Sequence, residues 1–130
     1  VVTSSHPTPQ EYKDLLFAWY VCLCLRSNAV VFVKDQQTVG IGTGHVDRVG
    51  AVIQAVEDTK EFHHKELRNQ KCVMASDTFL PFEDSVERAA PHVRAMIQPG
   101  GSIRDKKILE TAEKAKMAML ITGERTFAHF

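Results

Sequence analysis

The chain has 130 residues, of which 44% are hydrophobic and 25% charged, a size and balance that suit one soluble globular domain with a real core. Lys and Arg number 16 and Asp and Glu number 16, so the formal net charge is zero, which argues against a dominant nucleic-acid or anionic-membrane surface. Three cysteines, Cys22, Cys24 and Cys72, cannot all pair within the chain and offer no CxxC zinc spacing, so a reducing, cytoplasmic setting is the simplest expectation.

The chain opens Val1-Val2-Thr3, with neither a Met nor a signal-peptide pattern, and is expected to be a piece of something longer or a processed product. Pro7 and Pro9 mark a non-helical opening. Thr8-Pro9-Gln10-Glu11 predicts a helix start, with Thr8 at the cap, Pro9 at the first helical position and Glu11 at the third. Residues 15–25 are apolar throughout, too few to span a bilayer. A helix apolar all round must be buried on several sides, in a core or a subunit interface, and so dimerisation is expected.

Two strands follow, Asn28-Ala29-Val30-Val31-Phe32-Val33 and Thr38-Val39-Gly40-Ile41-Gly42, joined by the polar Lys34-Asp35-Gln36-Gln37. So short a connection requires an antiparallel hairpin. Val46, Val49, Ile53 and Val56 are spaced for one helix face, and the charged residues 57–70 read as a helix end and a solvated linker. Cys72-Val73-Met74-Ala75 is a strand; Val86, Ala89, Ala90 and Val93 give a second helix face that Pro91 ends early. Ala95-Met96-Ile97 is a strand, Ser102 and Asp105 open a helix with Ile108, Leu109, Ala112 and Ala115 on its face, and residues 117–121 form the last strand. The expected fold is a single α/β domain over residues 1–130, a mixed, mostly parallel five-stranded sheet with helices on both faces.

Residues 72–84, CVMASDTFLPFED, form a strand that ends in a polar turn and feeds a helix, the usual place for a ligand in an open α/β sheet. Two aromatics, a proline and two carboxylates there suit a flat polar ring; the commoner use of such residues makes Phe79 and Phe82 core anchors and Glu83 and Asp84 first-turn acids that favour the helix dipole. Gly40-x-Gly42-x-Gly44 is not the dinucleotide GxGxxG pattern: it either permits a tight strand-to-helix turn or brings backbone N–H groups near an anion, with Arg48 one helical turn on. Gly100-Gly101-Ser102 raises the same pair of alternatives. His63-His64 completes no metal-ligand pattern and reads as a solvated face, so no metal site is expected. Neither a zinc-deaminase H-x-E with P-C-x-x-C nor a serine nucleophile elbow occurs. Asn28, at the mouth of an apolar strand, can both donate and accept, or simply end a helix or turn. Arg125 follows the last strand with a planar fork suited to phosphate or carboxylate, or is a surface charge.

Arg26-Ser27-Asn28-Ala29-Val30-Val31, Thr38-Val39-Gly40-Ile41-Gly42-Thr43-Gly44, Arg48, the segment from Ala75 through Phe79-Leu80-Pro81-Phe82-Glu83-Asp84, Gln98-Pro99-Gly100-Gly101-Ser102 and the closing residues 122–129 occur in that order. With them the chain closely resembles the C-terminal part of the aminoimidazole carboxamide ribonucleotide (AICAR) transformylase family, carried in a bifunctional purine-biosynthesis protein with inosine monophosphate (IMP) cyclohydrolase. The resemblance implies a cytidine-deaminase-like fold, one of two related halves in an intertwined homodimer. It also implies formyl transfer from the co-substrate 10-formyltetrahydrofolate to the 5-amino group of AICAR. By resemblance Asn28 contacts the reacting region of the nucleotide, Arg48 and Arg125 hold the nucleotide, Phe79 stacks near the aminoimidazole, and Pro81, Phe82 and Asp84 border the folate. The family's adjacent Lys-His catalytic pair lies in the upstream half. None of His6, His45, His63, His64, His92 and His129 follows a Lys, so the chain alone is expected to be inactive. Asp47 stands beside Arg48 in a segment where the family usually has Gln and Ser, and Leu80 replaces a second aromatic. The alternative is a non-catalytic nucleotide- or folate-binding or dimerisation module of the same fold. Topology adds one expectation: Asn28, Phe79 and Gln98 share one edge of one sheet, opposite the turn at residues 34–37.

Overall fold

The computed structural model describes residues 1–44, 48–63, 71–77, 84–101 and 105–123, leaving aside the side chains of 48, 49, 58–63, 84 and 85. Thr8 caps helix α1 (Pro9–Leu23): its hydroxyl accepts the Glu11 N–H at 3.1 Å while the Glu11 carboxylate accepts the Thr8 N–H at 2.8 Å. This reciprocal box satisfies two donors that a helix start otherwise leaves open. The elements that follow are β1 (Val30–Lys34), β2 (Gln37–Gly42), α2 (Arg48–His63), β3 (Cys72–Ser76), α3 (Asp84–Ala89), β4 (Val93–Gln98), α4 (Asp105–Lys114) and β5 (Ala118–Ile121).

The five strands form one sheet in the order β2-β1-β3-β4-β5. The sheet is mixed rather than mostly parallel. Strand β1 lies between β2 and β3 and is antiparallel to both, and the remaining pairs, β3 with β4 and β4 with β5, are parallel. One reversed strand placed inside the sheet, instead of at its edge, creates two antiparallel ladders. The hairpin turn has only Asp35 and Gln36 at its centre, both at positive φ (51° and 57°), the conformation that matches the twist of a two-residue hairpin.

Alternation along β1 serves both faces. Val30 and Phe32 join Met74, Met96, Ile108 and Met119 in the core beneath α2, α3 and α4. Val31 and Val33 join Val73, Ala75, Ala95 and Ile97 beneath Leu15, Ala18, Trp19 and Cys22 of α1. Helices therefore do cover both faces. At the free edge of β5, Val2 donates its N–H to the Met119 carbonyl at 2.9 Å and the Thr3 hydroxyl accepts the Met119 N–H at 2.9 Å, so the opening segment protects the edge from foreign pairing.

Three local expectations change. Val93 begins β4 instead of extending the α3 face, because α3 ends at Ala89 ahead of Pro91. Ile53 is exposed, and α2 turns Ala51, Val52, Ala55 and Val56 inward. The α2 backbone passes so close to β2 that a Cβ at Gly42 would collide with the Ala51 carbonyl, so glycine is required there. Finally, α1 ends at Leu23 and is buried on one side, with Tyr12, Leu16 and Tyr20 exposed. The expected capping partner Ser102 and the linker beyond His63 lie outside the described residues.

Candidate functional site

The carboxyl ends of β2, β3, β4 and β5 and the start of β1 meet on one rim. Val30 pairs with both Gly42 and Ser76, Ala75 pairs with Ile97, and Gln98 pairs with Ile121. Asn28, two residues before β1, stands at this rim, as does Gln98 at the end of β4; the turn at Asp35 and Gln36 is at the far end. The expected shared edge thus holds for Asn28 and Gln98. Phe79, its third member, lies outside the described residues, as do Pro81, Phe82, Glu83 and Arg125. Arg48 and Asp84 are the first residues of α2 and α3, and their side chains are likewise outside.

The half-buried Asn28 sits in a segment fastened on both sides. Upstream, the Arg26 carbonyl accepts the Thr43 hydroxyl at 2.8 Å and the Gly44 N–H at 2.9 Å. On either side of Asn28, the Asp77 carboxylate accepts the Ser27 hydroxyl at 2.5 Å and the Ala29 N–H at 3.0 Å. Asp77 also donates its own N–H to the Ala29 carbonyl at 3.2 Å. Asp77 and Ser27 are 1% and 5% exposed, so these bonds form away from water, where charged acceptors are strongest. The Ser27–Asn28 peptide is cis.

The glycine loops are occupied by the protein itself. Gly44 donates to Arg26, Gly100 donates to the Gln98 side-chain oxygen at 2.8 Å, and Gly101 donates to the Asp105 carboxylate at 2.9 Å. Their positive φ angles of 70°, 75° and 97° are the turn geometry that glycine allows. These N–H groups serve turns, which favours the turn alternative over an anion cradle.

Cys22 sits beneath the rim, its thiol directed at the Ala29 carbonyl at 3.4 Å. Burial, and then the charge of Asp77, push its pKa far above the ordinary thiol value. Burial pushes the Cys72 thiol up to about 12. Both stay protonated at neutral pH and are not nucleophiles. Among the described residues no three His, Cys, Asp or Glu cluster as metal ligands. A cleft of about 300 Å³ between α2 and α3, lined by Val56, Glu57, Glu87, Arg88 and His92 among others, lies toward the start of β4, away from Asn28. No helix among the described residues is long and apolar enough to cross a membrane.

Sequence reasoning missed the part played by Asp77 and Ser27. Asp77 was assigned only to a turn, and its partner lies 50 residues away. The one available signal was an acid directly after a strand of core residues, where a carboxylate must find donors.

An open α/β sheet with polar groups converging where its strand ends meet helix starts is the arrangement in which such sheets hold small ligands. Comparison with known proteins narrows the class. The family model of the AICARFT/IMPCHase bienzyme matches residues 1–58, which include Asn28 and the start of α2. The bifunctional purine biosynthesis protein PurH of Persephonella marina is 46% identical over 130 residues, 99% of this chain and 25% of that protein. The chain is thus similar to the AICARFT/IMPCHase bienzyme family and spans about a quarter of the length of that relative.

Proposed function

We propose that this chain supplies part of the substrate site of a folate-dependent formyltransferase of purine biosynthesis, which moves the formyl group of 10-formyltetrahydrofolate to the 5-amino group of AICAR. The observation that carries this is the seat of Asn28: an amide held by bonds on both sides of it, at the rim where four strands end, in a chain 46% identical to PurH. In this reading Asn28 meets the reacting region of the nucleotide. Arg48, opening α2, and Arg125 hold the nucleotide, and Phe79 stacks on the aminoimidazole. Pro81, Phe82 and Asp84 border the folate, with Asp84 accepting from pterin N–H groups. The fold is then of the cytidine-deaminase-like type.

The chemistry asks for such a set. The attacking amine is weak because its lone pair is delocalised into the imidazole and carboxamide. Attack creates a tetrahedral oxyanion that needs preorganised donors. The amine must lose a proton and the departing folate nitrogen must gain one. Holding the two substrates in line supplies much of the rate. The Lys-His pair that the family uses for proton transfer is not in these 130 residues, so the site needs the upstream half.

Exposed Tyr12, Leu16 and Tyr20, spaced four residues apart on α1, support the remaining partners: a second copy in a homodimer, and the upstream half of the transformylase. A cytoplasmic setting agrees with the three free thiols.

In the full-length bienzyme, Asn28→Ala should lower kcat for formyl transfer about 100-fold, the loss expected for one transition-state donor, and leave cyclohydrolase turnover unchanged. Formyl transfer at the parent rate would overturn the reading. The purified 130-residue chain should show no turnover above buffer. Asp84→Asn should weaken folate use by about 1.5–3 kcal/mol, the worth of a charged hydrogen bond, with little effect on the nucleotide. Equal losses for both substrates would assign Asp84 to the helix start instead.

A further inference from the structure

We infer that Asp77 is a positioning residue for formyl transfer: its buried carboxylate fixes residues 27–29 so that Asn28 presents its amide to the reacting atoms. The inference rests on the role proposed for Asn28 and extends it to a residue that itself touches no substrate.

Asp77 is 1% exposed, and burying a charge is costly unless its oxygens are well bonded. Here each oxygen has its own donor. One accepts the Ser27 hydroxyl at 2.5 Å and the other the Ala29 N–H at 3.0 Å. The two donors flank Asn28 in sequence, so the carboxylate spans the residue without bonding it in either contact. The Asp77 N–H adds a bond to the Ala29 carbonyl, and Thr43 and Gly44 hold the Arg26 carbonyl from the other side. Rotation of the backbone at Asn28 would break several of these at once. A neutral amide at position 77 loses the charge of the acceptor, and it can meet both groups only by accepting the Ala29 N–H and turning its NH2 onto the Ser27 oxygen, which displaces the serine proton from the clamp. Misplacement by about 1 Å is enough to cost about 100-fold in rate, which is the leverage such a clamp has over turnover.

The test uses the full-length bienzyme and the variants Asn28→Ala, Asp77→Asn and Ser27→Ala. Formyl-transfer kcat and KM, cyclohydrolase turnover and thermal unfolding are measured for each. Asp77→Asn should lower formyl-transfer kcat by about 10- to 100-fold with KM for AICAR and cyclohydrolase turnover within about twofold. Ser27→Ala should lower kcat by about 3- to 10-fold, and the double variant should be no worse than Asp77→Asn, because both changes act on the same bond. If Asp77→Asn and Ser27→Ala keep kcat within about twofold while Asn28→Ala loses it, the clamp is structural and the inference fails alone. If Asp77→Asn does not fold, Ser27→Ala decides by the same limits. If Asn28→Ala itself keeps full turnover, the proposed site falls and the positioning role with it.

Discussion

The two ends of β1 are fastened by the same device and differ in what it holds. At the hairpin end Asp14, 2% exposed and carried by α1, accepts the Asp35 N–H at 3.1 Å and the Gln36 N–H at 2.8 Å. At the rim Asp77, 1% exposed, accepts the Ser27 hydroxyl and the Ala29 N–H. Each is a buried carboxylate that gathers two donors from a bend in the chain. At the hairpin the bonds hold a turn whose two central residues both need positive φ. At the rim they bracket a polar side chain of the proposed site. A buried aspartate is thus no mark of function by itself. What distinguishes the two is whether the bend it closes carries a group that a ligand can reach.

The largest effect should come from breaking the hairpin fastener. Asp14→Ala leaves the turn N–H groups and the Gln10 amide, bonded at 3.1 Å, without their acceptor. Hydrogen bonds to charged groups contribute about 1.5–3 kcal/mol each, and because water reaches the exposed turn a net loss of about 3 kcal/mol is expected. The urea midpoint of the 130-residue chain, read by its single tryptophan Trp19, measures it. In the full-length enzyme kcat per folded molecule should stay at the parent value. A fall in kcat as deep as that of Asp77→Asn would erase the contrast between the two ends.

Much of the frame was legible because its signals are local. The box at Thr8 and Glu11 is a four-residue pattern, and the structure forms it. The short link at residues 34–37 forces a hairpin, and that parity, together with helical crossovers that make the later strands parallel, puts Asn28 and Gln98 on one rim. The insertion of β1 between β2 and β3 was not legible, since it depends on which non-local edge the hairpin pairs with. The same limit hid both aspartates: Asp14 meets Gln36 across 22 positions and Asp77 meets Ser27 across 50. Ile53 misled because an apolar side chain fits the helix period, while α2 turns Ala51, Val52, Ala55 and Val56 inward instead. The aromatics at Phe79 and Phe82 lie outside the described residues, so their expected place stays a proposal.

The thiols extend the comparison, with Cys22 beneath the rim and Cys72 at the opposite end of β3, its thiol 3.2 Å from the His92 carbonyl. Burial raises Cys72 from the model-compound 9.0 to about 12. A raised folded-state pKa means that the stability it contributes is complete below pH 9 and is lost as pH rises toward 12, because the unfolded chain releases its proton first. Each such thiol should cost about 1.4 kcal/mol per pH unit above 9. Cys72→Ala should make the fall of the urea midpoint between pH 9 and 10 shallower than in the parent; an unchanged slope would show the thiol already ionised in the fold. At neutral pH a thiol reagent should modify exposed Cys24 quickly and the buried pair only on unfolding.

The smallest effect returns to the hairpin. Gln36 sits at φ 57°, where an L side chain costs about 1–2 kcal/mol and glycine nearly nothing. Gln36→Gly relieves that cost but gives the unfolded chain more freedom, worth about 0.4–1 kcal/mol in the other direction. The bond from residue 36 to Asp14 uses only the backbone N–H and survives the change. The net expectation is a gain of up to about 1 kcal/mol in stability, read from the shift of the urea midpoint, with kcat unchanged in the full-length enzyme. A loss of stability would mean that the glutamine side chain contributes more to the turn than its backbone conformation costs. The hairpin end would then depend on side-chain contacts beyond the Asp14 fastener, and the likeness of the two ends of β1 would be weaker than their bonds suggest.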